Sequence, residues 1–321
     1  METNFLEPTI VVSKCLGFEA CRYNAQILNS KIIEKLKNHA QIIPVCPEKE
    51  IGLNTPRPPL RLIKKNYKIQ LIQPETNKNL TDKMNDFIDD FLTKKVNKVD
   101  GFILKNRSPS CGLGDSKLYL PDNDNHVGKT DGLFAAEIKK RFPYAAIQDD
   151  GHLTNFKIRE HFLIKIFMLP KYKKVIETNE INELIKFHTK NKYLLMAYNQ
   201  ELMRKMGKLT ANPDNLSISK IIKKYRDYLK KTLKEPAKHT DCINVLMHAF
   251  GYFSDKIEKE EKQFFLDTLE KYRNAKIPLS VPVNLLKSWI IKYKQSYLSN
   301  QSFFNPYPEE LIDIKDSGQG R

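Results

Sequence analysis

"TIVVSKC" (residues 9–15) places four β-branched residues, Thr9, Ile10, Val11 and Val12, in an unbroken row and ends on a cysteine. A short, continuous, β-branched run of this kind reads as a buried strand. Two more runs share its character, "AQIIPVC" (40–46) and "GFILKNR" (101–107). Between the first two, Leu28, Ile32 and Leu36 recur at i, i+4 and i+8 within residues 25–38, which is one face of a helix. Before the third, "DKMNDFIDDFLTKKV" (82–96) aligns Met84, Phe87, Ile88, Phe91 and Leu92 in the same way. Strand, helix and strand in alternation predict an α/β domain built on a mostly parallel sheet with flanking helices.

The cysteines fall at informative places on that frame. Cys15 and Cys46 each end a strand, and Cys111 lies a few residues beyond the third. In a parallel sheet the carboxyl ends share one edge, where open α/β folds bind ligands, so three thiols distant in sequence can meet. The loops suit chemistry: "CPEKEIGLNTPRPP" (46–59) is rich in proline, and "SPSCGLG" (108–114) supplies small residues that let backbone approach a ligand closely. Thiolates hold zinc or iron-sulfur clusters, and three of them on a four-iron cluster would leave one iron open. With no CxxC pair, spacing leaves both a shared metal site and three separately buried thiols open.

Five ordered motifs, "VVSKCLGFEACRYN", "PVCPEKEIGL", "PRPPLRLI", "VDGFILKNRSPSCG" and "LTNFKIREHF", resemble the thiouracil desulfidase (TudS) family over residues 9–168. The resemblance implies a 4Fe-4S cluster on Cys15, Cys46 and Cys111, and removal of sulfur from thiolated pyrimidines. It also implies catalytic roles for Glu48, two residues after the second cysteine, and Ser108, the first serine of "SPSC". An open iron can accept a thiocarbonyl sulfur while a carboxylate moves the proton of an attacking water. Without the resemblance, Glu48 reads as an exposed loop carboxylate and Ser108 as a turn serine before proline. The chain departs from the family pattern at Ala25, where glycine is expected, at Asn54-Thr55, and at His152, where arginine is expected. Cys21 and Cys242 are assigned to packing.

The 321 residues carry 54 Lys and Arg against 38 Asp and Glu, a formal charge of +16. The excess is uneven: residues 1–170 hold 26 basic and 20 acidic groups, residues 171–321 hold 28 and 18. That skew of +10 against +6 directs a polyanion toward the second half. Strand runs vanish there, and helical patterns such as "SISKIIKKYRDYLKKTL" and "DCINVLMHAFGYFSDKIEKEEKQFFLDTLEKYR" take over, predicting an all-α domain. The expected division is a desulfidase domain at 1–170 and a basic helical domain at 178–321, joined by a linker at 169–180. His188, His239 and His248 are too scattered for a metal site.

Basic and aromatic residues interleave in "KFHTKNKY", "KKYRDYLKK" and "KSWIIKYKQSY", which suits phosphate contact and base stacking. Residues 187–311 resemble the helical domain fused to the desulfidase in a group of tRNA 4-thiouridine desulfidases (RudS), which implies tRNA as partner. Lys186, Lys190, Lys192, Arg204, Lys205 and Lys208 are the candidate phosphate contacts. Two other functions compete, desulfuration of free thiouracil and non-enzymatic nucleic-acid binding with structural thiols. The absence of a membrane-length apolar run or a signal-peptide pattern, with an odd number of cysteines, predicts a cytoplasmic protein with reduced thiols and no membrane partner.

Overall fold

The computed structural model describes residues 5–96, 98–121, 124–212 and 214–315. The chain forms two compact units, residues 6–169 with the segment beginning at Glu309, and residues 170–308 with Phe5.

In the first unit the strands are β1 (Thr9–Ser13), β2 (Gln41–Val45), β3 (Arg61–Lys65), β4 (Lys68–Gln73), β5 (Lys78–Asn79), β6 (Gly101–Leu104), β7 (Ser116–Tyr119), β8 (Gly128–Thr130) and β9 (Ala146–Asp149). Its helices are α1 (Lys31–Leu36), α2 (Pro47–Glu50), α3 (Thr81–Asp90), continued by a π-turn at Phe91–Lys95, and α4 (Leu133–Arg141). One sheet has the order β2-β1-β6-β9 and is parallel throughout. The three runs read as strands occupy its first three positions. Ile10, Val11 and Val12 are fully buried, as expected of a central strand covered on both faces. Met84, Ile88, Phe91 and Leu92 join the same core.

The helix expected over 25–38 begins only at Lys31. Ala25 stands at φ 55°, left-handed backbone that favours glycine, and the Leu28 N–H donates to the Cys15 carbonyl at 2.8 Å. Those constraints commit residues 25–28 to the loop after Cys15.

A second sheet, β5-β4-β3-β7-β8, is absent from the sequence reading. Its β3–β4 hairpin turns on Asn66 and Tyr67, both at positive φ (48° and 63°), the geometry a two-residue turn needs to match strand twist. β3 also pairs in parallel with β7, Leu62 against Leu118. Leu62 and Leu71 enter the core that holds Val11 and Phe102.

α5 (Phe156–Thr178) runs through the stretch expected as a linker. Apolar spacing explains this: Met168, Tyr172 and Val175, at i, i+4 and i+7, are all buried, so the helical face continues past Pro170. The boundary between the two units, after Leu169, falls inside this helix.

The second unit continues with α6 (Ile181–Tyr198), α7 (Gln200–Ala211), α8 (Ile218–Thr232), α9 (His239–Phe250), α10 (Lys259–Arg273), α11 (Ser280–Lys292) and α12 (Ser296–Ser299). The long pattern over 241–273 is two helices, broken by the turn after Gly251. Tyr172 stacks on Tyr225 (centroids 5.7 Å, 19°), and the Tyr225 hydroxyl lies 3.0 Å from His188 Nδ1 in the core of this unit. Among the described residues no helix is long and apolar enough to cross a membrane.

Candidate active site

The carboxyl edge of the parallel sheet carries the three loops that hold the cysteines. β1 delivers Cys15, β2 delivers Cys46 at the N-cap of α2, and the turn after β6 delivers Cys111. Cys15, Cys21 and Cys111 are buried and Cys46 is partly so. The Cys21 thiol neighbours the thiols of both Cys15 and Cys46, and Cys46 Sγ lies 3.8 Å from the Cys21 carbonyl oxygen. Cys111 is near enough to Cys46 and Glu48 for their charges to act on it. Cys21, assigned to packing, is therefore packed among the other thiols. Cys242 is buried in α9, in the helical unit.

The Cys111 loop is fixed by backbone geometry. Ser108 Oγ accepts the N–H groups of Ser110 (3.2 Å) and Cys111 (3.1 Å), and Ser116 Oγ donates to the Ser108 carbonyl at 2.6 Å. At the start of α4, Phe134 N–H donates to the Ser110 carbonyl (3.0 Å), and Gly132 N–H to the Gly112 carbonyl (2.9 Å). Loop carbonyls thereby satisfy N–H groups that a helix start otherwise leaves free.

Burial pushes the Cys111 thiol up to about 12, opposed by hydrogen bonds from the Ser13 and Ser108 hydroxyls. The Cys15 thiol beside it raises the Cys21 thiol to about 11. The Cys21 thiol, and then burial, raise Cys46 as well. Reactive cysteine nucleophiles have lowered values, so the raised values of Cys21, Cys46 and Cys111 set them apart from a thiolate nucleophile. No group of three or more His, Cys, Asp or Glu among the described residues closes on a single metal ion. A multi-iron cluster does not require that, since each thiolate binds a different iron. The soft, buried, all-sulfur donor set fits such a cluster.

Glu48 lies beside these thiols on α2. Its Oε2 accepts Arg57 Nε (3.0 Å) and Nη2 (2.5 Å), and its Oε1 accepts Ser110 Oγ at 3.1 Å. Glu48 is thus a nearly buried, paired carboxylate, 12% exposed at the side chain, unlike the exposed loop acid that its sequence context alone suggests. Ser108 contacts Cys111, whereas the serine touching Glu48 is Ser110. The unusual Asn54 and Thr55 both accept from Arg57 Nη1, at 3.2 Å. His152 Nδ1 stands 2.6 Å from Asp149 Oδ2 at the end of β9.

Sequence reasoning missed Arg57, Ser110 and the placement of Cys21. A lone arginine in "TPRPP" and a second serine in "SPSC" were the available signals.

The family described as 2-thiouracil desulfurase matches residues 10–150. YbbK of Bacillus subtilis (strain 168), an uncharacterized protein, is 34% identical over 114 residues, 33% of this chain and 74% of its own. The chain belongs, through residues 10–150, to the 2-thiouracil desulfurase family. Beyond this desulfurase domain, residues 192–308 match a family described as a protein of unknown function (DUF1722). The uncharacterized protein YbgA of Escherichia coli (strain K12) is 30% identical over 158 residues, 49% of this chain and 93% of its own. A solved [4Fe-4S]-dependent thiouracil desulfidase, TudS, is 23% identical at a TM-score of 0.37, over 46% of this chain and 93% of its own. Cys15, Cys21, Cys46, Glu48, Arg57, Ser108, Ser110 and Cys111 all fall within residues 10–150.

Proposed function

We propose that this chain is an iron-sulfur desulfidase that removes sulfur from 4-thiouridine in tRNA, giving uridine and sulfide. The observation that carries the reading is the placing of three cysteine loops at one sheet edge of a desulfurase-family domain, with Cys46 and Cys111 beside the nearly buried carboxylate of Glu48 and Cys15 beside Cys21, which neighbours Cys46. Those three cysteines would hold a 4Fe-4S cluster, which when bound supplies a Lewis acid for the thiocarbonyl sulfur. Glu48 takes a proton from water as it attacks the ring carbon, and the proton leaves with the sulfur as the C–S bond breaks. Ser13 and Ser108 favour the thiolate form of Cys111, and Ser108 also shapes the loop that presents it.

The helical unit supports tRNA as the carrier of the substrate. Lys186, Lys190, Lys192, Arg204, Lys205 and Lys208 are all exposed on α6 and α7, although Lys186 and Lys205 are paired with Glu183 and Glu201. A base must leave its stack to reach a recessed site, at a cost of a few kcal/mol. The family description favours a second reading, desulfuration of free 2-thiouracil. Reconstituted protein should be incubated anaerobically with thiolated tRNA, and with free thiouracil in parallel, followed by mass spectrometry of nucleosides and bases. Conversion of 4-thiouridine to uridine supports the proposal. Conversion of the free base alone selects the second reading, and conversion of neither, with no iron retained, removes both.

A further inference from the structure

Arg57 uses its whole guanidinium. Nε and Nη2 donate to Glu48 Oε2, Nη2 also to the Cys21 carbonyl (3.0 Å), and Nη1 to the Asn54 carbonyl and Thr55 Oγ1. These contacts account for all five N–H donors that an arginine offers. The side chain is 4% exposed and is anchored in backbone on both sides: Arg57 N–H donates to the Tyr23 carbonyl at 2.8 Å. The result is a rigid strut from the proline-rich loop, under the Cys21 segment, to Glu48.

Glu48 is held on both oxygens. Oε2 is taken by the Arg57 fork, and Oε1 accepts, among the described residues, the hydroxyl of Ser110, which is fully buried. A buried ion pair is a weak device for stability alone, because a well-packed apolar pair often does as well. It is an effective device for fixing where a carboxylate points. Resting on the reading that Glu48 moves the proton, we infer that Arg57 is a positioning residue for Glu48. Its fork ties up Oε2 and leaves Oε1, with Ser110 beside it, as the oxygen through which the proton passes. The structure offers no other charged side chain to Glu48 at ion-pair distance among the described residues.

The test is a cycle on the full-length chain with Arg57→Lys, Arg57→Met, Glu48→Gln and the double variant Glu48→Gln/Arg57→Met. Lysine keeps the charge but loses the fork, and it serves where methionine prevents folding. Both Arg57 variants should lower kcat about tenfold or more while KM stays within about twofold and iron content stays at the wild-type level. The double variant should lose no more activity than Glu48→Gln, because Arg57 acts through Glu48. Wild-type kcat in both Arg57 variants, or a double variant whose loss is the product of the single losses, overturns the inference. A second readout needs no iron: in cluster-free protein the single variants should each lower the melting temperature, and the double variant should fall by clearly less than their sum. Additive shifts overturn the pairing. If the wild type desulfurates no substrate, the functional reading fails and Glu48's proton transfer with it, while the melting cycle still decides whether the two residues act as one unit.

Discussion

Gly132 lies directly against Ser110: a β-carbon on Gly132 would stand 2.5 Å from the Ser110 carbonyl oxygen and 2.8 Å from the Cys111 nitrogen. Both neighbours are backbone, so neither can swing aside. The absent side chain is what lets the start of α4 reach the loop that carries Cys111.

Gly132→Ala should therefore push that loop off α4 and move Cys111. Overpacking of this kind costs about 1–3 kcal/mol. Lower iron retention after anaerobic reconstitution, together with a lower melting temperature, is the expected pair of results. Wild-type values for both would show that the loop can retreat without cost.

Single replacement of Cys15, Cys46 or Cys111 by serine should abolish iron retention, measured as iron per chain after reconstitution. Cys242→Ser, in the helical unit, should retain it. Cys21→Ser should also retain iron, despite its place beside Cys15 and Cys46, since serine keeps a hydroxyl in the same place. Equal behaviour of all five variants would remove the ligand assignment.

The helical unit should be acid-sensitive through His188. Burial, then the charge of Lys192, lowers this histidine to about 4 from 6.5, so the unfolded chain binds the proton more readily than the folded one. Its contribution to stability is complete above pH 6.5 and is lost as pH falls toward 4. At about 1.4 kcal/mol per unit the loss is on the order of 3 kcal/mol. Chemical denaturation of wild type and His188→Gln across this window should show a flatter pH dependence in the variant; parallel curves would contradict the assignment.

Binding to tRNA should weaken with rising salt, and glutamate in place of Lys190, Lys192, Arg204 or Lys208 should weaken it further. Each phosphate contact removed should reduce the log-log salt slope by about 0.7 to 0.9. Fluorescence anisotropy at several salt concentrations measures this. Unchanged affinity in all four variants would place the RNA elsewhere.

Three of the four strands of the parallel sheet were legible as short apolar runs, most clearly β1 and β6, which are buried along nearly their whole length; β9, only half-buried, was not. The second sheet was not legible either. Its strands "RLIKK" and "KIQLIQ" are half-exposed and interrupted by basic residues or glutamine, and their turn is Asn-Tyr where Asn-Gly would have signalled a hairpin.

Among the candidate site residues, the three thiols stood out by their places after predicted strands, whereas Glu48 and Ser108 were named only through the family resemblance. Arg57, Ser110 and Cys21 act through contacts formed by loops 9 to 62 residues apart, which no local pattern records. Asn54 and Thr55, visible as departures from the family pattern, were a pointer to Arg57 that only coordinates could interpret. Ala25 is similar: the glycine expected there belongs to a left-handed backbone position that this chain keeps without it.

The lateral pairing of β3 with β7 also governs where the gene can grow. The Cys46 loop empties into β3 and the Cys111 loop into β7, and Leu62 faces Leu118 where the two strands meet. A codon inserted between Cys111 and Leu118 would slip that match by one place and turn Leu118 to the opposite face. Codons added in the hairpin beyond Tyr119 fall outside the loop-to-loop circuit, so length variation among related genes should collect there.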